Sequence, residues 1–110
     1  MIKAIQLSKA DNVATLLGNL RKGEEVEIIS TENQTVAKVM VLQNIPFGNK
    51  VALCPIDNGQ EVIKSGFTIG KAVTDIALGQ LVHVQNVRSI RLDIPENIIE
   101  LIIEEMEIEQ

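Results

Sequence analysis

A seven-residue pattern, aliphatic, two variable residues, Gly, two variable residues, Val, occurs four times in this chain and limits its fold more than any other feature. The copies are Leu20-Arg21-Lys22-Gly23-Glu24-Glu25-Val26, Ile45-Pro46-Phe47-Gly48-Asn49-Lys50-Val51, Ile56-Asp57-Asn58-Gly59-Gln60-Glu61-Val62 and Ile76-Ala77-Leu78-Gly79-Gln80-Leu81-Val82. Each reads as a turn unit: the aliphatic residue anchors the end of one element, glycine supplies a positive φ, and valine starts the next strand. Pro46 and the Asn58-Gly59 dipeptide strengthen the turn reading of the second and third copies. The spacing between copies is irregular, so the pattern is a recurring turn and not a solenoid repeat.

The turns bracket candidate strands at 25–30, 36–42, 50–54, 61–63 and 81–87, with Thr31-Glu32-Asn33-Gln34 as a polar hairpin loop. A weaker alternation over Lys3 to Leu7 predicts a short first strand. After it, Asp11 is placed to cap a short helix with Val13, Leu16, Leu17 and Leu20 at helical spacing and Gly23 at its end. The expected fold is mainly β, with one short N-terminal helix and a C-terminal helix.

The tail differs from the rest. Asp93-Ile94-Pro95-Glu96 reads as a helix start, and the following Ile98, Ile99, Leu101, Ile102, Ile103 and Met106 alternate with glutamates. The apolar residues spread over roughly 220° of a helical wheel, wider than the stripe of a helix lying on its own domain. This helix, 93–108, either meets another chain, as in a homo-oligomer, or fits a groove of its own domain. Acidic residues at its C-terminal end oppose the helix dipole and predict a frayed last turn.

With 110 residues the chain has the length of one domain, and with two Phe and no Trp or Tyr its core must be aliphatic. A net charge of −5 with scattered lysines argues against nucleic acid as a partner. No stretch has the length of a membrane span and the N-terminus lacks a signal-peptide core, so the expected location is the cytoplasm, with no membrane partner. The single cysteine, Cys54, lies in the apolar run Val51-Ala52-Leu53-Cys54 and is expected to be a buried thiol.

No self-sufficient catalytic motif is present: no phosphate-binding glycine loop, no metal-spaced His pair, no nucleophile elbow. The candidates that remain are polar residues just after the turns, Asn49 and Lys50, Lys64 and Ser65, and His83, Gln85 and Asn86. If 81–87 is one strand, His83 and Gln85 share a face. Lys50 and Lys64 would add positive charge suited to a carboxylate. Taken alone, these residues are more readily read as solvated strand-edge charges and a structural histidine.

Four blocks in order carry a resemblance. Asp11-Asn12-Val13-Ala14, Ile45-Pro46-Phe47-Gly48-Asn49-Lys50-Val51-Ala52-Leu53, Val62-Ile63-Lys64-Ser65-Gly66-Phe67-Thr68-Ile69-Gly70-Lys71-Ala72 and Val82-His83-Val84-Gln85-Asn86-Val87 resemble the SAF domain of the altronate and galactarate dehydratase family, which also includes the sulfolactate sulfo-lyase small subunit. The resemblance covers about 2–88 and implies a β-clip fold. It implies a hydro-lyase small subunit that helps to bind and dehydrate a sugar acid or other hydroxy acid with a larger catalytic subunit. It also implies a divalent metal, commonly iron, in that larger partner and none in this chain. At the matching positions Asn12, Asn49, Lys50, Lys64 and Asn86 would contact substrate or cofactor, and His83 would serve as acid, base or metal ligand.

Three positions depart from the family pattern. Asn49 stands where the family has His, Ser65 where it has Tyr, and Gln85 where a second His is expected, which removes titratable groups. The alternative is a non-catalytic SAF-like binding or assembly module for an anionic carbohydrate.

Overall fold

A computed structural model describes residues 1–91 and 93–109. Its elements are β1 (Lys3–Ile5), β2 (Val13–Leu16), β3 (Glu25–Ile29), β4 (Thr35–Met40), β5 (Lys50–Ala52), β6 (Glu61–Lys64), β7 (Phe67–Ala72), β8 (Leu81–Val82), β9 (Val87–Ser89) and α1 (Glu96–Glu105). One sheet has the order β4-β3-β1-β2-β5-β8 and the other β6-β7-β9. All neighbours are antiparallel except β1 and β3.

The repeated pattern forms four turns of one kind. Gly23, Gly48, Gly59 and Gly79 all have φ between 82° and 90°. In each turn the residue after glycine donates its N–H to the carbonyl three residues earlier, to Arg21, Pro46, Asp57 and Ala77 respectively. Positive φ at the third position and a bond from the fourth to the first are the marks of a type II turn. The aliphatic anchors pair across the structure, Leu20 with Ile45 and Ile56 with Ile76, as isolated antiparallel bridges. All four anchors and the four closing valines are buried.

Two hydrophobic clusters result, and β2, β5 and β8 form the wall between them. Successive strand residues face opposite ways. Ala14, Leu16, Val51 and Leu81 therefore enter the first cluster, with Val26 and Ile28. Val13, Ala52 and Val82 enter the second, with Val62 and Ala72 from the smaller sheet.

This wall explains why residues 11–23 form no helix. The apolar run that mimics helical spacing is a strand buried on both faces, and such a run carries no period-2 signal. Asp11 caps no helix. Its carboxylate accepts from the N–H groups of Ser8 at 3.0 Å, Ser65 at 2.9 Å and Gly66 at 2.8 Å. Ser65 and Gly66 have φ of 55° and 77°, the pair of positive values that a type I′ hairpin between β6 and β7 requires.

Two further expectations are corrected. The 81–87 segment is not one strand: β8 ends at Val82 and a turn separates it from β9. Cys54 is exposed, because β5 ends at Ala52 and the chain leaves the wall before the cysteine. The C-terminal helix is present, with Pro95 at its N-cap position. Of its apolar residues Ile99 is buried, whereas Ile98 and Leu101 remain exposed.

Candidate functional site

The turn at Gly48 delivers Lys50 to the first position of β5, where it pairs with Val82 of β8 on one side and Thr15 of β2 on the other. Lys50 lies on the same strand face as Ala52, the face of the second cluster. Its side chain therefore leaves the sheet at the open end of an apolar core and is half-buried. Burial lowers the Lys50 pKa below its ordinary value, and the neighbouring Lys64 ammonium lowers it further.

His83 follows Val82 directly and starts the turn that replaces the expected strand. The turn is locked by Asn86, whose Oδ1 accepts from His83 N–H at 3.0 Å and whose Nδ2 donates to the Leu81 carbonyl at 2.8 Å. The His83 carbonyl accepts from the N–H groups of Asn86 and Val87. Burial, and then the charge of Lys50, hold the His83 pKa below 6.5. The imidazole is thus neutral at pH 7, with a lone pair able to accept a proton.

Lys50 and His83 line one hollow of about 330 Å3, floored by Ile69, Val82, Val87 and Ile99. This lies at the low end of the roughly 300–1,000 Å3 typical of small-molecule sites. Arg88 also lines it, together with Asp93 and Glu96 from the approach to α1 and its first turn. Lys64 lines an adjoining hollow with Ser65, Thr68 and Arg91, which shares Ile69 and Ser89 with the first. Lys50, Lys64 and His83 therefore occupy one continuous region of surface.

The three asparagines are placed differently. Asn12 is engaged on both sides of its amide: Oδ1 accepts from Ile63 N–H at 2.8 Å and Nδ2 donates to the Glu61 carbonyl at 2.9 Å. Asn12 therefore holds β6, and Asn86 holds the 83–86 turn, with no amide atom directed at the hollow. Asn49 donates to the Pro46 carbonyl at 3.3 Å within its own turn. Gln85 turns away from His83, donating to the Leu81 carbonyl, and its Oε1 is buried without a hydrogen-bond partner.

No group of three His, Cys, Asp or Glu side chains able to hold a metal ion occurs among the described residues. The donor set of the described residues does not fit a resident divalent metal. No helix among the described residues is long and apolar enough to cross a membrane.

Sequence reasoning missed Arg88, Arg91, Asp93 and Glu96. Arg88 lies in β9, whose pairing with β7 brings it to the site, and Asp93 and Glu96 join it from the approach to α1; no local spacing reports either.

The sequence model of the altronate/galactarate dehydratase SAF domain matches residues 2–90. The chain is 44% identical over 85 residues to an altronate dehydratase of Escherichia coli (strain K12), a match covering 77% of this chain and 16% of that protein. It is 33% identical over 90 residues to an altronate dehydratase of Bacillus subtilis (strain 168), covering 82% of this chain and 17% of the relative. The matched stretch is thus about a sixth of each relative, and α1 lies beyond the residues that the family model matches.

Proposed function

The chain belongs to the altronate/galactarate dehydratase SAF-domain family, and from that premise we propose that it is the hydroxy-acid-binding part of a sugar-acid dehydratase that works with a larger catalytic subunit. The supporting observation is the state of Lys50. It is a half-buried ammonium beside an apolar hollow, and among the described residues the ion pair formed is between Arg88 and Glu96, not at Lys50. Burying a charge without a partner is unfavourable. A carboxylate seated at Lys50 would relieve that cost.

In this reading Lys50 and Lys64 bind the acid's carboxylate by charge-assisted hydrogen bonds. Neutral His83 takes the proton from the carbon next to that carboxylate. The electron pair forms a carbon–carbon double bond as the hydroxyl on the neighbouring carbon leaves as water, protonated by an acid of the larger subunit, and the resulting enol becomes the keto acid. Asn49, next to Lys50 in the chain, is the amide proposed to reach a substrate hydroxyl. The larger subunit supplies the remaining catalytic groups and whatever divalent metal, such as iron, the reaction uses. The cytoplasm is the compartment proposed for such a complex.

A second reading, a non-catalytic module for an anionic carbohydrate, is favoured by one observation. Asn12 and Asn86 are engaged by the backbone, which leaves few polar groups free for chemistry.

The chain is to be combined with a larger dehydratase subunit and assayed for keto-acid formation from a panel of sugar acids that includes altronate. Turnover that needs both chains and drops at least about 100-fold in His83→Ala, the size of a general acid–base contribution, supports the dehydratase. Binding of the acid without turnover selects the second reading. Turnover unaffected by both His83→Ala and Lys50→Met removes the site.

A further inference from the structure

Arg88 is held in a geometry suited to recognising a carboxylate. Its Nη1 donates to the carbonyls of Val84 and Val87, which fixes the guanidinium against the turn that carries His83. Its Nη2 faces away from that turn and meets both carboxylate oxygens of Glu96 at 3.4 Å. Arg88 and Glu96 line the same hollow as Lys50 and His83.

The Arg88–Glu96 contact is loose. A tight charge-assisted bond between guanidinium and carboxylate measures about 2.7–2.9 Å, and the Glu96 side chain is 73% exposed. The pair is also not what holds the tail in place. Ile99 is buried beside the hollow, Ile108 packs on the first cluster, and the Glu109 carbonyl accepts from Gln43. Glu96 can leave Arg88 while α1 stays where it is.

We propose that Arg88 binds the ligand's carboxylate and that Glu96 is its built-in competitor, occupying the guanidinium until an anionic ligand displaces it. Arg88 supplies one face of the anion site and Lys50 the other, and the bound ligand exchanges one carboxylate for another at Arg88. The assignment rests on the reading of the hollow as a hydroxy-acid site, and it makes the first turn of α1 a determinant of how tightly that acid is held.

An exposed ion pair of ordinary strength has a pairing constant of about 1.4 to 5. Releasing Arg88 from it should therefore tighten ligand binding about two- to sixfold. Titration calorimetry on the full chain, with altronate and malate as probes, reads this directly. E96Q should bind about two- to sixfold tighter than the wild-type chain, and R88Q at least about tenfold weaker, the loss expected for a hydrogen bond to a charged group. The double variant should match R88Q, because Glu96 acts only through Arg88.

Unchanged affinity in E96Q, or the same tightening in the R88Q background, overturns the competitor role. Unchanged affinity in R88Q overturns Arg88 as a ligand. E96Q lies at the exposed start of a helix anchored elsewhere, so its result does not depend on a variant that fails to fold. Malate binding that follows this pattern while altronate stays inert upholds Arg88 and refutes the sugar-acid reading. Failure of both acids to bind refutes both.

Discussion

Replacing Asp11 with Ala tests how the β6–β7 hairpin is held, and with it the position of Lys64. One buried carboxylate accepts three backbone N–H groups, from Ser8, Ser65 and Gly66, two of them in a hairpin more than fifty residues away in sequence. A buried donor left without an acceptor costs about 1–3 kcal/mol. The hairpin tip is exposed and water can reach it, so the lower bound applies to each donor, and Asp11→Ala should cost about 3 kcal/mol. For a domain of this size that is a fall in Tm on the order of 10–20 °C. Asp11→Asn keeps one acceptor oxygen and should lose about 1–2 kcal/mol. Urea unfolding followed by circular dichroism gives the difference as a shift in midpoint at unchanged slope. The amide resonances of Ser65 and Gly66 should move more than any others in the hairpin. A loss below about 0.5 kcal/mol in both variants would refute the clamp.

Three other outcomes follow from the site and the turns. The His83 ring should titrate below 6.5 in a proton NMR titration, and a midpoint at or above 6.5 would contradict its burial beside Lys50. Because its folded pKa is lowered, the unfolded chain binds more protons between that pKa and 6.5, so stability should fall as pH drops through this window. Lys50→Met should raise stability by about 0.5–1 kcal/mol, the low end for a stabilising substitution, because it removes a half-buried charge without a partner among the described residues, while weakening acid binding; a drop in Tm would show that burial of the ammonium carries no cost. Gly79→Ala should destabilise by clearly more than Gly23→Ala, since both have positive φ but only at Gly79 would the new Cβ collide with the Met40 carbonyl; equal midpoints in urea would refute that difference.

The turns were legible because glycine, the aliphatic anchor and the closing valine each report a local physical need. The four predicted positive-φ glycines and the eight buried anchors need no long-range information. β2 was not legible, because Val13, Ala14 and Leu16 are divided between two cores and a doubly buried strand resembles a helix face. Asp11 misled for a related reason. The same carboxylate can serve helix N–H groups or the N–H groups of a distant type I′ turn, and only the tertiary structure decides which. At the site, Lys50, Lys64 and His83 were visible as polar residues following turns. Their common region depends on β5 pairing with β8, and the presence there of Asp93 and Glu96 depends on the path of the tail.

The wall formed by β2, β5 and β8 also ties the site to the far side of the domain. Along β5, Lys50 and Ala52 face the second cluster and Val51, between them, faces the first. The strand that presents the ammonium at one rim thus also carries, one residue on, a side chain of the cluster that holds Val26 and Ile28, so the site and the far core share a single backbone.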